Sequence, residues 1–167
     1  MNLRENLTST QRGKIAELHV ATALMSQSGG RLSPFEPLSD DHGIDLVMLD
    51  KETGKSLPIQ VKSWMLNPDK PVTRVQFDVQ KTTFGKEKHG AVVCVVLEME
   101  TLAIETSWMI PAFDIPKVAT DRPNKFAIVP SRLGGSKDKY TAYRHKTNAS
   151  LTRAVEALLE GSISGNG

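Results

Sequence analysis

Residues 43–64 read GIDLVMLDKETGKSLPIQVKSW, and the interpretation of its two apolar stretches about one polar turn decides the fold. Gly43–Asp50 and Leu57–Trp64 have strand character, and the DKETGKS segment between them, with Gly54, has turn chemistry. The pattern predicts a β-hairpin. A register with Leu49 facing Ser56 places Asp45 opposite Gln60, where directly opposed Cβ atoms lie about 4.5–5.5 Å apart. Gln60 and Lys62 are two residues apart and share a face, with Ile59 and Val61 on the other. An acid, an amide oxygen and an ammonium then converge on one patch, whereas a one-residue slip would separate them.

Outward from the hairpin, a helix is expected over Ser9–Gln27, with Thr8 and Gln11 at capping-box spacing and Gly29-Gly30 after its end. Further strands are expected at 31–37, 72–79, 91–99, and over TSWMI and FAIVP. The 91–99 run is apolar enough for a buried central strand. An amphipathic helix over Asn148–Glu160 closes an α/β sandwich. On a helical wheel, Gly13, Ala16, Leu18, Val20, Ala21, Ala23, Leu24 and Met25 define an apolar arc, and Glu17 falls near its middle. A carboxylate there needs a partner. Either it is ion-paired, with Lys14 or another base, or it points into a site between helix and sheet.

The chain has 167 residues, 39% hydrophobic and 24% charged, which fits a single domain over 1–160 with a flexible tail at 161–167. The lone Cys94 excludes an internal disulfide and a Cys-rich zinc site. No 18-residue apolar run and no signal-peptide pattern is present, so a cytoplasmic protein without membrane association is expected. The net charge of +2 is unevenly spread. Residues 1–60 hold six Lys and Arg against eight Asp and Glu, and the remainder is basic. One basic cluster is Lys81, Lys86 and Lys88. The other is Arg132, Lys137, Lys139, Arg144 and Lys146, beside Tyr140 and Tyr143. These are either solvated loops or a phosphate-facing rim, to which Lys14 would add.

The patch suits metal-assisted phosphodiester hydrolysis. Mg²⁺, with Mn²⁺ as a substitute, takes hard oxygen ligands. Asp45 would supply a carboxylate, Gln60 a side-chain oxygen and Val61 a main-chain carbonyl, with Glu17 binding directly or through water. Lys62 would orient the attacking water or stabilise charge on the phosphate. The alternative for Asp45 and Lys62 is a cross-strand ion pair. His42, Asp41 and Trp64 adjoin the patch, with Trp64 expected in the core.

The string of Glu17 on the first helix, then Gly43-Ile44-Asp45, then Ile59-Gln60-Val61-Lys62-Ser63 resembles the PD-(D/E)XK nuclease superfamily. It looks most like the branch with Gln in the acidic slot, as in Mrr-type restriction endonucleases, and Gly13 to Glu17 is similar to the helix of Holliday-junction resolvases. The resemblance covers roughly residues 10–100. It implies a restriction-endonuclease-like αβββαβ core, a mixed central sheet flanked by helices, with Glu17, Asp45, Gln60 and Lys62 as the active-site set of a Mg²⁺-dependent DNA endonuclease, acting in some cases as a homodimer. The family proline is absent before Asp45, and Gln60 removes one negative charge from the metal site. A nucleic-acid-binding or assembly module of weak catalytic power, and a protein-interaction domain, are the competing readings.

Overall fold

The computed structural model describes residues 6–39, 43–84 and 89–161. The first helix, α1 (Ser9–Gln27), has the bounds its caps predict. Gln11 N–H donates to Thr8 Oγ1 at 3.2 Å and Thr8 N–H donates back to Gln11 Oε1 at 2.9 Å, a complete capping box. Its buried side is Ala16, Val20, Ala21, Ala23 and Leu24. Leu18 and Met25, placed on the apolar arc by the wheel, are half exposed instead. α1 lies against both the sheet and the last helix, and the small side chains that allow this approach form an arc that turns Leu18 and Met25 outward.

Five strands follow: β1 (Leu32–Phe35), β2 (Leu46–Asp50), β3 (Ser56–Leu66), β4 (Phe77–Gln80) and β5 (Ala91–Glu98). β6 (Ile104–Pro111), α2 (Ile115–Val118), β7 (Thr120–Asp121), β8 (Lys125–Ile128), β9 (Arg144–His145) and α3 (Asn148–Glu160) complete the chain. The main sheet has the order β1-β2-β3-β5-β6-β9. Its β3–β5 pair is parallel and the other pairs are antiparallel, so the sheet is mixed. A second sheet, β4-β8-β7, lies on the opposite face from α1 and α3. One apolar core therefore fills the space between the main sheet and the two helices. The other fills the space under the small sheet around Phe77, Trp108, Ile115 and Tyr140. β5 is buried on both faces, as its apolar run predicts.

The helix that the resemblance to an αβββαβ core implies between the third core strand and the next is not present among the described residues of 67–90; β4 and turns occupy that stretch. The parallel crossover from β3 to β5 thus runs through the second sheet. The strand expected over 72–79 is confined to Phe77–Gln80, with a single bridge from Arg74 to Ser131. Gly90 closes the crossover at φ +135°, and a Cβ there would stand 2.8 Å from the Pro58 carbonyl oxygen of β3, so only glycine fits.

Candidate active site

The β2–β3 hairpin has the register expected of it, with Leu46 facing Ile59 and Leu49 facing Ser56. The ladder then breaks at Asp45. Asp45 N–H donates to Ile59 O at 2.9 Å, although Ile59 already faces Leu46. Two residues of one strand oppose one of the other, the arrangement of a β-bulge, a device that re-aims a side chain. Asp45 therefore does not stand directly opposite Gln60. Its carboxylate takes the place of a backbone acceptor, and Val61 N–H donates to Asp45 Oδ2 at 2.6 Å. A residue's N–H and C=O point to the same side of a strand, so the Val61 carbonyl lies on the Asp45 edge too.

Gln60 and Lys62 lie on the face opposite Ile59 and Val61, which belong to the helix-side core. Gly43, at φ +63°, brings the approach to Asp45 hard against Gln60. A Cβ on Gly43 would sit 2.7 Å from Gln60 Nε2 and 2.9 Å from Thr83 Cβ. Thr83 escaped the sequence analysis, since nothing local marks a threonine in a turn as a neighbour of residue 60. Asp78 was missed as well. It sits on β4 and accepts from Lys125 Nζ at 2.6 Å and from Gln76 Nε2 at 2.9 Å. Burial pushes its carboxyl upward, but those bonds and the nearby charges of Lys125 and Lys62 outweigh it and hold it below the ordinary carboxylate value. Its signal was present in the sequence as an acid on the polar phase of VTRVQFDV. Burial pushes the Cys94 thiol far up, against the pull of Lys62, so Cys94 is inert.

Glu17 is approached differently. Lys14 Nζ lies 3.1 Å from Glu17 Oε2 and 2.6 Å from Glu36 Oε1, and these bonds, Glu36 first, raise the lysine's pKa. The β1–β2 ladder, with Phe35 facing Val47, brings Glu36 to the end of β2 where Asp45 begins. The structure thus groups Asp45, Gln60, Val61 and Lys62 on the hairpin. Glu17 stands on the helix side of the sheet, in the ion pair with Lys14. Trp64 is packed against the small-sheet core, as expected.

The expected basic rim is divided. Arg132 donates to Val72 O at 3.0 Å and Glu105 Oε1 at 2.5 Å, and Arg144 donates to Leu133 O at 2.8 Å and to Arg132 O. Both guanidiniums tie the 131–147 strap to the fold. Lys81 pairs with Asp121 and lies 5.0 Å over the Phe126 ring. Lys137, Lys139 and Lys146 are exposed. Lys86, Lys88, Asp41 and His42 lie outside the described residues. Tyr140 is buried in the second core and Tyr143 Oη donates to Asp114 at 3.1 Å, so these rings are not free stacking platforms. No group of three His, Cys, Asp or Glu forms a metal cluster among the described residues. The candidate ligands on the hairpin are the Asp45 carboxylate, the Gln60 side-chain amide, whose Nε2 faces Gly43, and the Val61 main-chain carbonyl.

No protein-family model matches the sequence, and no curated protein matches it. Among solved structures, the chain is similar to a bacterial homing endonuclease, I-Ssp6803I, at 20% identity and a TM-score of 0.57, over 94% of this chain and 99% of that chain. It also matches Hjc, a Holliday junction resolvase from the archaeal hyperthermophile Archaeoglobus fulgidus, at 10% identity and a TM-score of 0.43, over 70% of this chain and 82% of the other. The homing endonuclease shares this chain's fold, a central mixed sheet flanked by helices.

Proposed function

We propose that this chain is a metal-dependent endonuclease that hydrolyses DNA phosphodiester bonds, with its centre at the β2–β3 hairpin and Gln60-x-Lys62 as its form of the PD-(D/E)XK signature. The bulge that turns the Asp45 carboxylate onto Val61 N–H carries this reading. It places a carboxylate beside the main-chain edge of β3, where Val61 and Gln60 offer two more oxygens. Mg²⁺ is commonly held by one or two carboxylates plus substrate phosphates and waters, so this donor set fits it. The ion would supply Lewis acidity at the phosphate and an activated water.

The chain's own residues do the rest. Asp45, Gln60 and the Val61 carbonyl would hold the ion, with Glu17 binding it directly or through water. Lys62 orients the attacking water or meets charge growing on the phosphate oxygens. Gln60 contributes no charge, so the affinity for Mg²⁺ is lower than a second carboxylate would give. Lys137, Lys139 and Lys146, with Lys81, Lys86 and Lys88, would meet the backbone of the DNA. Cutting both strands takes two centres, which two copies of the chain would supply.

The test is cleavage of linear, single-stranded and branched DNA with Mg²⁺ or Mn²⁺. Asp45→Asn and Lys62→Ala are expected to lower the rate by about 10²–10³ with little change in melting temperature. A wild type that cuts no substrate, or variants that cut at the wild-type rate, would refute the proposal. The neutral Gln60 favours one second reading, a nucleic-acid-binding or assembly module of weak catalytic power. It requires salt-sensitive DNA binding that Asp45→Asn leaves unchanged, without cleavage by the wild type.

A further inference from the structure

β3 is paired on its β2 side only as far as Ile59 and the Asp45 bulge, while its β5 side is paired through Leu66. Beyond Val61 no strand covers the β2-side edge among the described residues. A cleft of about 300 Å³ opens there, lined by Ser63, Trp64 and Met65 of β3, Leu97 of β5, and Ser9 and Arg12 of the first turns of α1. Ser63 lies about 7 Å along the strand from Val61. The cleft therefore opens along the same edge of β3 as the Val61 main chain, on the helix side of the sheet.

Its lining combines one half-buried guanidinium, two hydroxyls and an apolar wall. A guanidinium presents a fixed fork of donors that matches phosphate oxygens, and the hydroxyls add adaptable donors. A nucleic-acid strand advances about 3.4 Å per nucleotide, so a strand with one phosphate at Asp45 and Val61 reaches Ser63, in the wall of the cleft that Arg12 also lines, within about two nucleotides. We propose that the cleft between the start of α1 and the open edge of β3 is a subsite for the DNA strand next to the cleaved bond. Arg12 holds a backbone phosphate there, and Ser9 and Ser63 line its approach. This assignment rests on the endonuclease reading for its substrate.

The experiment measures binding of a fluorescein-labelled duplex by anisotropy in EDTA, between about 50 and 200 mM salt. Alongside it, kcat and KM for cleavage are measured with Mg²⁺. The variants are Arg12→Gln, Arg12→Lys and Ser63→Leu, which fills the cleft from the strand side and leaves Arg12 in place. Thermal melting confirms that each is folded. Arg12→Gln is expected to weaken binding about tenfold and to lower the salt slope by about 0.9, the share of one phosphate. KM rises while kcat holds, Arg12→Lys recovers most of the loss, and Ser63→Leu also raises KM. An unchanged affinity and slope in both Arg12→Gln and Ser63→Leu would overturn the subsite. So would protection of the wild type, but not Arg12→Gln, by inorganic phosphate against unfolding with DNA affinities equal, since the cleft would then take free phosphate. A wild type that cuts no DNA would overturn the endonuclease reading instead, because the salt slope in EDTA needs no catalysis.

Discussion

At the scale of single residues, Gly43 joins the backbone to the candidate site. It combines a left-handed φ with contact against Gln60 and Thr83. Gly43→Ala forces a Cβ into Gln60 Nε2 and holds alanine in a conformation that costs about 1–2 kcal/mol. The expected outcome is a fall in cleavage rate of tenfold or more with only a few degrees lost in the melting midpoint, compared by kinetics and calorimetry on the same sample. Equal cleavage by both proteins would remove Gln60 from the site. Asp50 offers a different test. It is buried and accepts from Arg31 Nε at 3.0 Å, Arg31 Nη2 at 2.7 Å, Glu52 N–H at 3.0 Å and Thr53 Oγ1 at 2.9 Å. The Arg31 bonds above all hold its carboxyl well below its ordinary value of 3.8, against the effect of burial. Its charged form is thus favoured by folding. That stabilisation is complete above pH 3.8 and fades as the pH falls from there toward the lowered folded value. Urea titrations at about pH 6 and about pH 3 should show Asp50→Asn less stable than the wild type, with the gap narrower in acid. A gap that widens in acid would contradict the assignment. Asp45, Gln60 and Lys62 were legible as charges and an amide in apolar strands. Thr83 was not, because its nearness to residue 60 is a product of the fold alone.

Elements were legible where their signals are local. The capping box, with Gly29-Gly30, set both ends of α1, and Thr147, whose Oγ1 accepts from Ser150 N–H at 3.1 Å, with Gly161 in the left-handed region, bounds α3. Replacing Thr8 with alanine removes the acceptor for Gln11 N–H. It is expected to cost about 1 kcal/mol, or about 2–4 °C in a chain of this size. Thermal melting checks it, and a midpoint within error of wild type would mean that tertiary contacts hold α1 without its cap. The hairpin register was also legible, since turn and strand lie within one short segment. The bulge was not, because it exchanges a main-chain acceptor for the Asp45 side chain, a choice that periodicity does not record. The small sheet was missed as a sheet for a related reason. β4 pairs with β8 across a long stretch of chain, and β7 is only two residues long. No alternation signal survives at that length. Tyr140 shows the same limit, since its neighbours in sequence are basic while its neighbours in space are Trp108, Phe77 and Ile115.

Across the whole molecule, the uneven charge of the sequence acquires a geometry. Glu17 and Glu36 share Lys14 on the helix side of the sheet, and the β1–β2 ladder carries Glu36 toward the end of β2 where Asp45 begins. The exposed lysines of the strap lie beside β9, separated from β3 by β5 and β6, a span of about 14 Å. The proposed metal site makes a prediction about stability that needs no reaction. A ligand bound only by the folded state raises stability by RT ln(1 + [L]/Kd), about 2.7 kcal/mol at a hundredfold excess over Kd. For this chain that is a rise of several degrees in the melting midpoint. Mn²⁺ and Mg²⁺ should therefore raise the wild-type midpoint, EDTA should reverse the rise, and Asp45→Asn should remove most of it. Gln60→Glu, which restores a charge to the hairpin, should enlarge it. The measurement needs no DNA and no turnover, so it separates the metal site from the reaction. An equal rise in Asp45→Asn would place the ion elsewhere in the protein, and no rise at any metal concentration would refute a metal site at the hairpin.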